Sequence, residues 1–354
     1  MADEKVVGLL VGRENTFPHA FIDRVNSKNK GVRAEFCRLG GTRMDETLPY
    51  SVIVDRISHE IPYYRGVLKK AVLDGCVVIN NPFWWAADDK FFEACLATKQ
   101  GVAVPRTIVL PQKSYVEGVV SESLRNLEYP LDWRSIADYV GFPCFLKPFW
   151  GGGWKNVYKA HNLEELIWCF DQTGELGMIV QEGIEFDKYA RCICLGQKDI
   201  RVIRYEPGNP FHMRYVVEDP VQFFGEELYN RIVRDAITLT SSLGYDMDTV
   251  EFAVRDGIPY AIDWLNPAPD MDYHSITPTN FEWVVENMAD LVIDRALNGY
   301  TPDVHYRWDK FLNSTPPPVG QPIQNWTEFA HEDVVGAAQE QEQSPATTKK
   351  TRKK

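Results

Sequence analysis

Glu251, Asp263 and Asn266 lie in a stretch that could hold a cation, Asp248-Met-Asp-Thr-Val-Glu-Phe-Ala-Val-Arg-Asp-Gly-Ile-Pro-Tyr-Ala-Ile-Asp-Trp-Leu-Asn266. The stretch reads as two strands joined at Asp256-Gly257. Loop length decides what it can do. A strict two-residue turn sets Glu251 and Asp263 on opposite faces. A three-residue loop, Arg255 to Gly257 with the glycine left-handed, puts Glu251 across from Ala261 and so on the face of Asp263. Asn266, where Pro267 halts the second strand, adds an amide oxygen. Two carboxylates and an amide oxygen suit a hard divalent cation such as Mg²⁺, which takes its remaining ligands from water and phosphate. The competing reading is an edge hairpin with a solvated acidic face.

Two further stretches could meet a nucleotide there. Lys147-Pro-Phe-Trp-Gly-Gly-Gly-Trp-Lys155 is a strand lysine followed by a glycine loop, and glycines let backbone N–H groups approach an anion closely. It is not a Walker loop, because the lysine precedes the glycines. Met178-Ile-Val-Gln-Glu-Gly-Ile184 is an apolar strand ending in polar residues, where backbone groups, assisted by Gln181 or Glu182, can read the edge of a base. Taken singly, each also fits a plain structural role: a tight hairpin with a surface lysine, or an ordinary strand end.

The elements that must position these residues fall into blocks. Strands at Val6–Val11, Val32–Phe36, Ser51–Val54 and Cys76–Asn80 alternate with helical stretches near Phe17–Asn29 and Pro62–Leu73, which predicts a small open α/β domain over 1–88 with a parallel sheet. No glycine fingerprint opens its first helix. Arg56, His59, Tyr63, Tyr64 and Arg65 follow its third strand, where crevices form in open α/β sheets, so the cluster could hold an anionic substrate or be a plain surface patch. A helix at Asp88–Lys99 and a strand at Val102–Val109, interrupted by Pro105, open a second block over 89–182. A third block, 183–305, is strand-rich (Tyr189–Leu195, Ile200–Tyr205, His212–Val217) with helices at Gly225–Leu243 and Asn280–Leu297. Residues 306–354 turn Pro-rich, then Gln/Glu-rich, and end Lys349-Lys-Thr-Arg-Lys-Lys354, the composition of a disordered tail.

Composition narrows the function classes. The 354 residues carry a formal net charge of −12, which argues against a general nucleic-acid binder. Seven cysteines at positions 37, 76, 95, 144, 169, 192 and 194 form no framework, which fits a reducing compartment. No run approaches membrane-spanning length and no apolar signal core opens the chain. A cytoplasmic protein is expected. The seven histidines show no ligand spacing, so neither a zinc enzyme nor a histidine-based triad is indicated. Trp84-Trp85 and the other aromatics read as core or interface residues rather than a stacking platform.

In order, these stretches are a helix lysine (Lys90), a strand lysine with a glycine loop, a strand-to-hinge segment and an acid-rich hairpin ending in Asn. That succession resembles the ATP-grasp superfamily, and within it the ligases that include D-alanine–D-alanine ligase, glutathione synthetase and the ribosomal-protein glutamate ligase. The resemblance runs from Lys90 to Pro269, about half the chain, and rests on the ensemble rather than on any one motif. It implies α/β architecture with α+β lobes: an ATP-grasp fold, its small lobe at 89–182 and large lobe at 183–305, after a small open parallel domain. It also implies that Lys90 and Lys147 contact the phosphates of ATP, that Gly151, Gly152 and Gly153 form a flap, and that Gln181 to Ile184, Glu182 included, form the hinge against adenine. Glu251, Asp263 and Asn266 match the Mg²⁺ ligands, and Arg191 matches an arginine near the start of its strand. The chain departs from the pattern twice. Tyr189 stands where an acidic residue often reads the ribose, with Asp187 close by as a substitute, and Asp263 stands where Glu is common.

The reaction implied is ATP-dependent ligation of a small-molecule carboxylate to an amine, an amino acid or peptide among the candidates, through an acyl phosphate, with Arg191 and Arg214 (or Arg204) steadying charge. A non-catalytic ATP-binding module and a small-molecule kinase are the alternatives. A homo-oligomer is left open.

Overall fold

The computed structural model describes residues 4–83, 89–152, 154–299 and 317–318. The expectations for Trp84-Trp85, Gly153 and nearly all of 306–354 therefore lie outside the described residues.

Near-continuous apolar runs build the first sheet. Strands β1 (Lys5–Leu10), β2 (Val32–Phe36), β3 (Val52–Asp55) and β4 (Val77–Ile79) pair in parallel in the order β2-β1-β3-β4, with α1 (Phe17–Ser27) and α2 (Pro62–Leu73) as crossovers. A parallel sheet is covered on both faces, which is why β1, β3 and β4 are largely apolar, whereas the edge strand β2 alternates, with Arg33 and Glu35 on its polar side. Val7, Leu9, Val52 and Val54 pack with Phe17, Phe21 and Val25 of α1, while Leu10, Ile53 and Val78 pack with Leu68 and Ala71 of α2.

After α3 (Lys90–Lys99) comes an antiparallel sheet of β5 (Thr107–Leu110), β6 (Cys144–Pro148), β7 (Tyr158–Ala160) and β8 (Met178–Glu182), ordered β5-β8-β6-β7, with α4 (Trp133–Val140) and α5 (Leu163–Asp171) packed on it. The strand expected from Val102 begins only at Thr107, because Pro105 has no N–H to give a ladder.

The third sheet is antiparallel, in the order β11-β10-β9-β12-β13, formed by β9 (Lys188–Leu195), β10 (Asp199–Tyr205), β11 (Tyr215–Val216), β12 (Met247–Arg255) and β13 (Ile258–Asp263). Between β11 and β12 run α6 (Pro220–Phe224) and α7 (Glu226–Ser242); after β13 come α8 (Tyr273–Ile276) and α9 (Pro278–Asn298). Ile232, Ala236, Leu239 and Leu243 cover one face of this sheet, at the helical spacing expected from the sequence. α9 covers the other face and also packs on α1. Phe281, Val284, Val285, Met288 and Val292 join the core that includes Phe21 and Leu195. Each such buried side chain contributes about 1.5–3 kcal/mol. The strand expected over His212–Val217 shrinks to two residues: Pro210 starts a 3₁₀ turn over Phe211–Met213, and only Tyr215 and Val216 pair, with Tyr205 and Arg204.

Polar groups tie the first sheet to the third. Asn80 donates to the Met247 carbonyl (2.6 Å) and accepts from the Met247 N–H (3.0 Å). Buried Arg56 donates to Glu14 (2.8 Å) and to the Pro269 carbonyl. It is committed to this seam and leaves the cluster that could have held an anionic substrate. Asp272 accepts from the backbone N–H groups of Asn15, Thr16 and Phe17 at 3.0–3.1 Å and from the Thr16 hydroxyl at 2.9 Å. It therefore caps α1, whose own N-cap side chain makes no capping bond to the helix.

Candidate nucleotide and metal cleft

The hairpin reaches the expected facing by a different route. Its turn has two residues, Asp256 and Gly257, both with positive φ (54° and 72°), and Arg255 pairs with Ile258. That is the turn suited to the twist of a two-residue hairpin, and alone it would separate the carboxylates. A β-bulge between Glu251 and Phe252 corrects the parity. Phe252 pairs with Ala261 but Glu251 pairs with Asp263, leaving Ile262 as the extra residue. The bulge also gives the Ile262 carbonyl a new partner, the Lys147 ammonium at 3.3 Å.

Lys147 sits on β6 facing this bulge. Burial pushes its ammonium down to about 8, against a partial opposing pull from Asp263. Lys90, first residue of α3, is placed by two devices: Asp89 caps the helix through Phe91 and Phe92 N–H, and the Lys90 N–H donates to the Phe149 carbonyl at 3.0 Å. Its ammonium is ion-paired with Asp263. Withdrawal from solvent pushes the Asp263 carboxyl up, but the charges of Lys90 and Lys147 more than reverse it, and the group lies below the usual carboxylate range. Glu251 is held from the other side, accepting from the Tyr189 hydroxyl (2.5 Å) and pairing with Arg191. Burial and the adjoining Glu251 charge raise Tyr189 well above the usual phenol range. The Arg191 guanidinium lies over the rings of Tyr205 and Tyr215, 5.5 and 5.9 Å from their centroids.

Lys90, Lys147, Tyr189, Glu251 and Asp263 line one cavity of about 710 Å³ between the second and third sheets, within the range of small-molecule sites. Lys90, Lys147, Glu251 and Asp263 form its polar end, Gly151 and Gly152 one rim, and Gln181, Glu182 and Ile184 the wall at the strand end. Gln181 donates to the Thr107 hydroxyl at 3.2 Å. Glu182 does not offer its carboxylate to a base. Arg106 (3.0 Å) and Arg255 (2.9 Å) hold one oxygen each, so its side chain pins the strand end to the hairpin of the third sheet.

Four expected site residues lie away from this wall. Asp187 is exposed, with its N–H on the Val254 carbonyl. Asn266 is exposed and its amide oxygen accepts from Ala268 N–H at 3.2 Å. Arg214 donates to the Asn209 carbonyl at 3.0 Å beside the 3₁₀ turn, and Arg191 acts from behind Glu251. Arg204 is ion-paired with Glu206 and Glu218. Sequence reasoning missed two features. Tyr189, expected only as a departure, is a partner of Glu251, and Trp150 and Trp154, 69% and 70% exposed, flank the glycine loop on the cavity rim. A tryptophan on each side of the glycines was the available signal. No group of three or more His, Cys, Asp or Glu side chains poised for a metal occurs among the described residues. The facing pair Glu251 and Asp263 still supplies hard oxygen donors of the kind Mg²⁺ uses when phosphates and water complete its shell.

The fold resembles that of solved ATP-grasp proteins. A D-alanine–D-alanine ligase from Bacillus anthracis complexed with ATP superposes with a TM-score of 0.55 at 17% identity, covering 83% of this chain and 97% of that one. A RimK domain ATP-grasp protein from Sphaerobacter thermophilus gives 0.55 at 16% identity (83% and 100%). The ATP-grasp ligase PsnB, complexed with precursor peptide PsnA2 and AMPPNP, gives 0.57 at 11% identity (84% and 99%). In sequence, the chain is 21% identical over 181 residues to a D-alanine–D-alanine ligase of Ralstonia nicotianae, with 47% of this chain and 54% of that protein aligned. It is 25% identical over 224 residues to acetyl-CoA carboxylase 2 of Oryza sativa subsp. japonica, spanning 57% of this chain and only 9% of that protein. The chain thus spans about half or less of these relatives' lengths. No family model matches. No helix among the described residues is long and apolar enough to cross a membrane.

Proposed function

We infer that the chain is an ATP-dependent carboxylate–amine ligase, with ATP as co-substrate and Mg²⁺ at the carboxylate pair. The observation that carries this is the meeting of Lys90 and Lys147 with the Glu251–Asp263 pair at one end of a nucleotide-sized cavity. Lys90 and Lys147 would bind and orient the phosphates, and Glu251 and Asp263 would hold the cation. When bound, Mg²⁺ supplies charge neutralisation for phosphoryl transfer. The substrate carboxylate attacks the γ-phosphorus of ATP, ADP leaves, and the amine displaces phosphate from the resulting acyl phosphate, so one ATP is spent per bond formed. Arg191, one bond behind Glu251, fixes that carboxylate rather than touching substrate. The rim of Gly151 and Gly152 would exclude water, which otherwise hydrolyses the acyl phosphate. A small lobe at 89–182, a large lobe at 183–305 and a cytoplasmic setting belong to the same reading.

A screen of amino-acid and carboxylate mixtures for ADP and phosphate release tests it. Release that requires both an acid and an amine supports ligation. Phosphorylated product without amine would replace it with a kinase, and nucleotide binding with no release across broad pools would replace it with a regulatory module.

A further inference from the structure

Every group through which a divalent cation would enter the cleft already has a partner within the chain. Asp263 receives the Lys90 ammonium. Glu251 receives Arg191 at one oxygen and the Tyr189 hydroxyl at the other. Lys147, which feels Asp263, Lys90, Glu93 and Glu251, is anchored on the Ile262 carbonyl between the two metal candidates. Among these described residues, three cations (Lys90, Lys147, Arg191) stand against three carboxylates (Glu93, Glu251, Asp263), so this group carries no net negative charge to draw in Mg²⁺. A bare cation would have to pull Lys90 off Asp263, or Tyr189 off Glu251, and leave the displaced group beside its own charge. A polyphosphate reverses that balance. It brings negative charge to the same end of the cavity and offers Lys90 new acceptor oxygens, which frees a carboxylate oxygen for the metal.

Resting on the nucleotide reading above, we propose that Lys90 is a latch on the metal site: while it holds Asp263 the carboxylate pair does not take a divalent cation, and a nucleoside polyphosphate opens the pair by drawing Lys90 away. Tyr189 is a second, weaker hold, a positioning residue that keeps one Glu251 oxygen occupied.

The latch predicts opposite signs for one substitution. Lys90→Met keeps the length of the side chain and removes its charge. It should weaken binding of ADP but tighten binding of Mn²⁺ added alone, on the order of 10- to 100-fold, the range of coupled sites. Free Mn²⁺ is counted by its electron paramagnetic resonance signal in titrations of the full chain without nucleotide. Tyr189→Phe should shift nucleotide-free Mn²⁺ affinity in the same direction by a smaller factor, and provides the readout if Lys90→Met does not fold. Glu251→Gln with Asp263→Asn should remove the Mn²⁺ site in either background. A purely structural role for Lys90 would weaken both ligands together. Nucleotide-free Mn²⁺ binding as tight in the wild type as in both single variants overturns the latch while leaving the nucleotide reading intact, provided ADP still binds. Wild-type protein that binds no ADP, with or without Mn²⁺, overturns both.

Discussion

Two places in this molecule have the chemistry to take an anion, and the chain treats them in opposite ways. At the N-terminus of α1, just past the first parallel strand, three backbone N–H groups and the Thr16 hydroxyl converge, but Asp272 from beyond the third sheet fills the position. In the cleft, Lys147 donates to a bulge carbonyl at 3.3 Å and Lys90 pairs with Asp263, whose carboxylate lines the cavity. The first arrangement is a closed joint between the start of α1 and the segment after β13. The second is a set of charges with exchangeable partners around open space. Donors satisfied by a fixed internal carboxylate mark architecture, whereas donors held by replaceable partners mark the place a ligand enters.

The contrast yields separable predictions. Removing the cation ligands should have the largest effect: in Glu251→Ala with Asp263→Ala, Mg²⁺-dependent ADP release falls on the order of 10³-fold or more, the scale of lost charge stabilisation in phosphoryl transfer. A steady-state assay across Mg²⁺ concentrations reads it, and wild-type turnover in that variant would remove the hairpin from the chemistry. At the closed joint, Asp272→Ala should cost about 1–2 kcal/mol of stability, the worth of a helix cap. Denaturant titration measures the loss. ADP affinity in this variant should not change, and a fall in it would break the division between joint and cleft.

The smallest effect is in pH. Lys147 titrates near 8 in the folded protein, below the ordinary lysine value of 10.5. Between those values the unfolded chain binds more protons than the folded one, so the Lys147 contribution makes stability rise with pH across that window. Phosphate binding needs the ammonium, so ADP affinity falls as pH climbs past about 8. Denaturation and ADP titrations at matched pH values should therefore run in opposite directions, and the Lys147 contribution to both slopes should vanish in Lys147→Met.

The sequence made the architecture legible where periodicity is strong: the parallel alternation of the first domain, the apolar face from Ile232 to Leu243, and the long helix ending the third sheet. The resemblance, rather than periodicity, grouped Lys147, the glycines and the acidic hairpin, of which Lys147, Gly151, Gly152, Glu251 and Asp263 line one cavity. The bulge was not legible, because a single extra residue in a ladder leaves no mark in the side-chain pattern until the turn type is known. The sequence leaves the loop length at Asp256-Gly257 open, although an Asp-Gly pair is the signature of the two-residue turn found here. The fates of Glu182 and Asp187 were hidden for another reason. Arg106 and Arg255, far apart in the chain, converge on Glu182 only through tertiary pairing, and Asp187 stops one residue short of β9. Asn266 fails to reach the cleft because a local turn bond to Ala268 competes for its amide oxygen.

Calorimetric titration of Mg·AMPPNP into wild type and Lys147→Ala tests the central claim most directly. The lysine's charge-assisted bond to phosphate, about 1.5–3 kcal/mol, predicts an affinity lower by about 10- to 150-fold in the variant with its fold intact. Equal affinity in the two proteins would place the nucleotide elsewhere and contradict the account of this cleft.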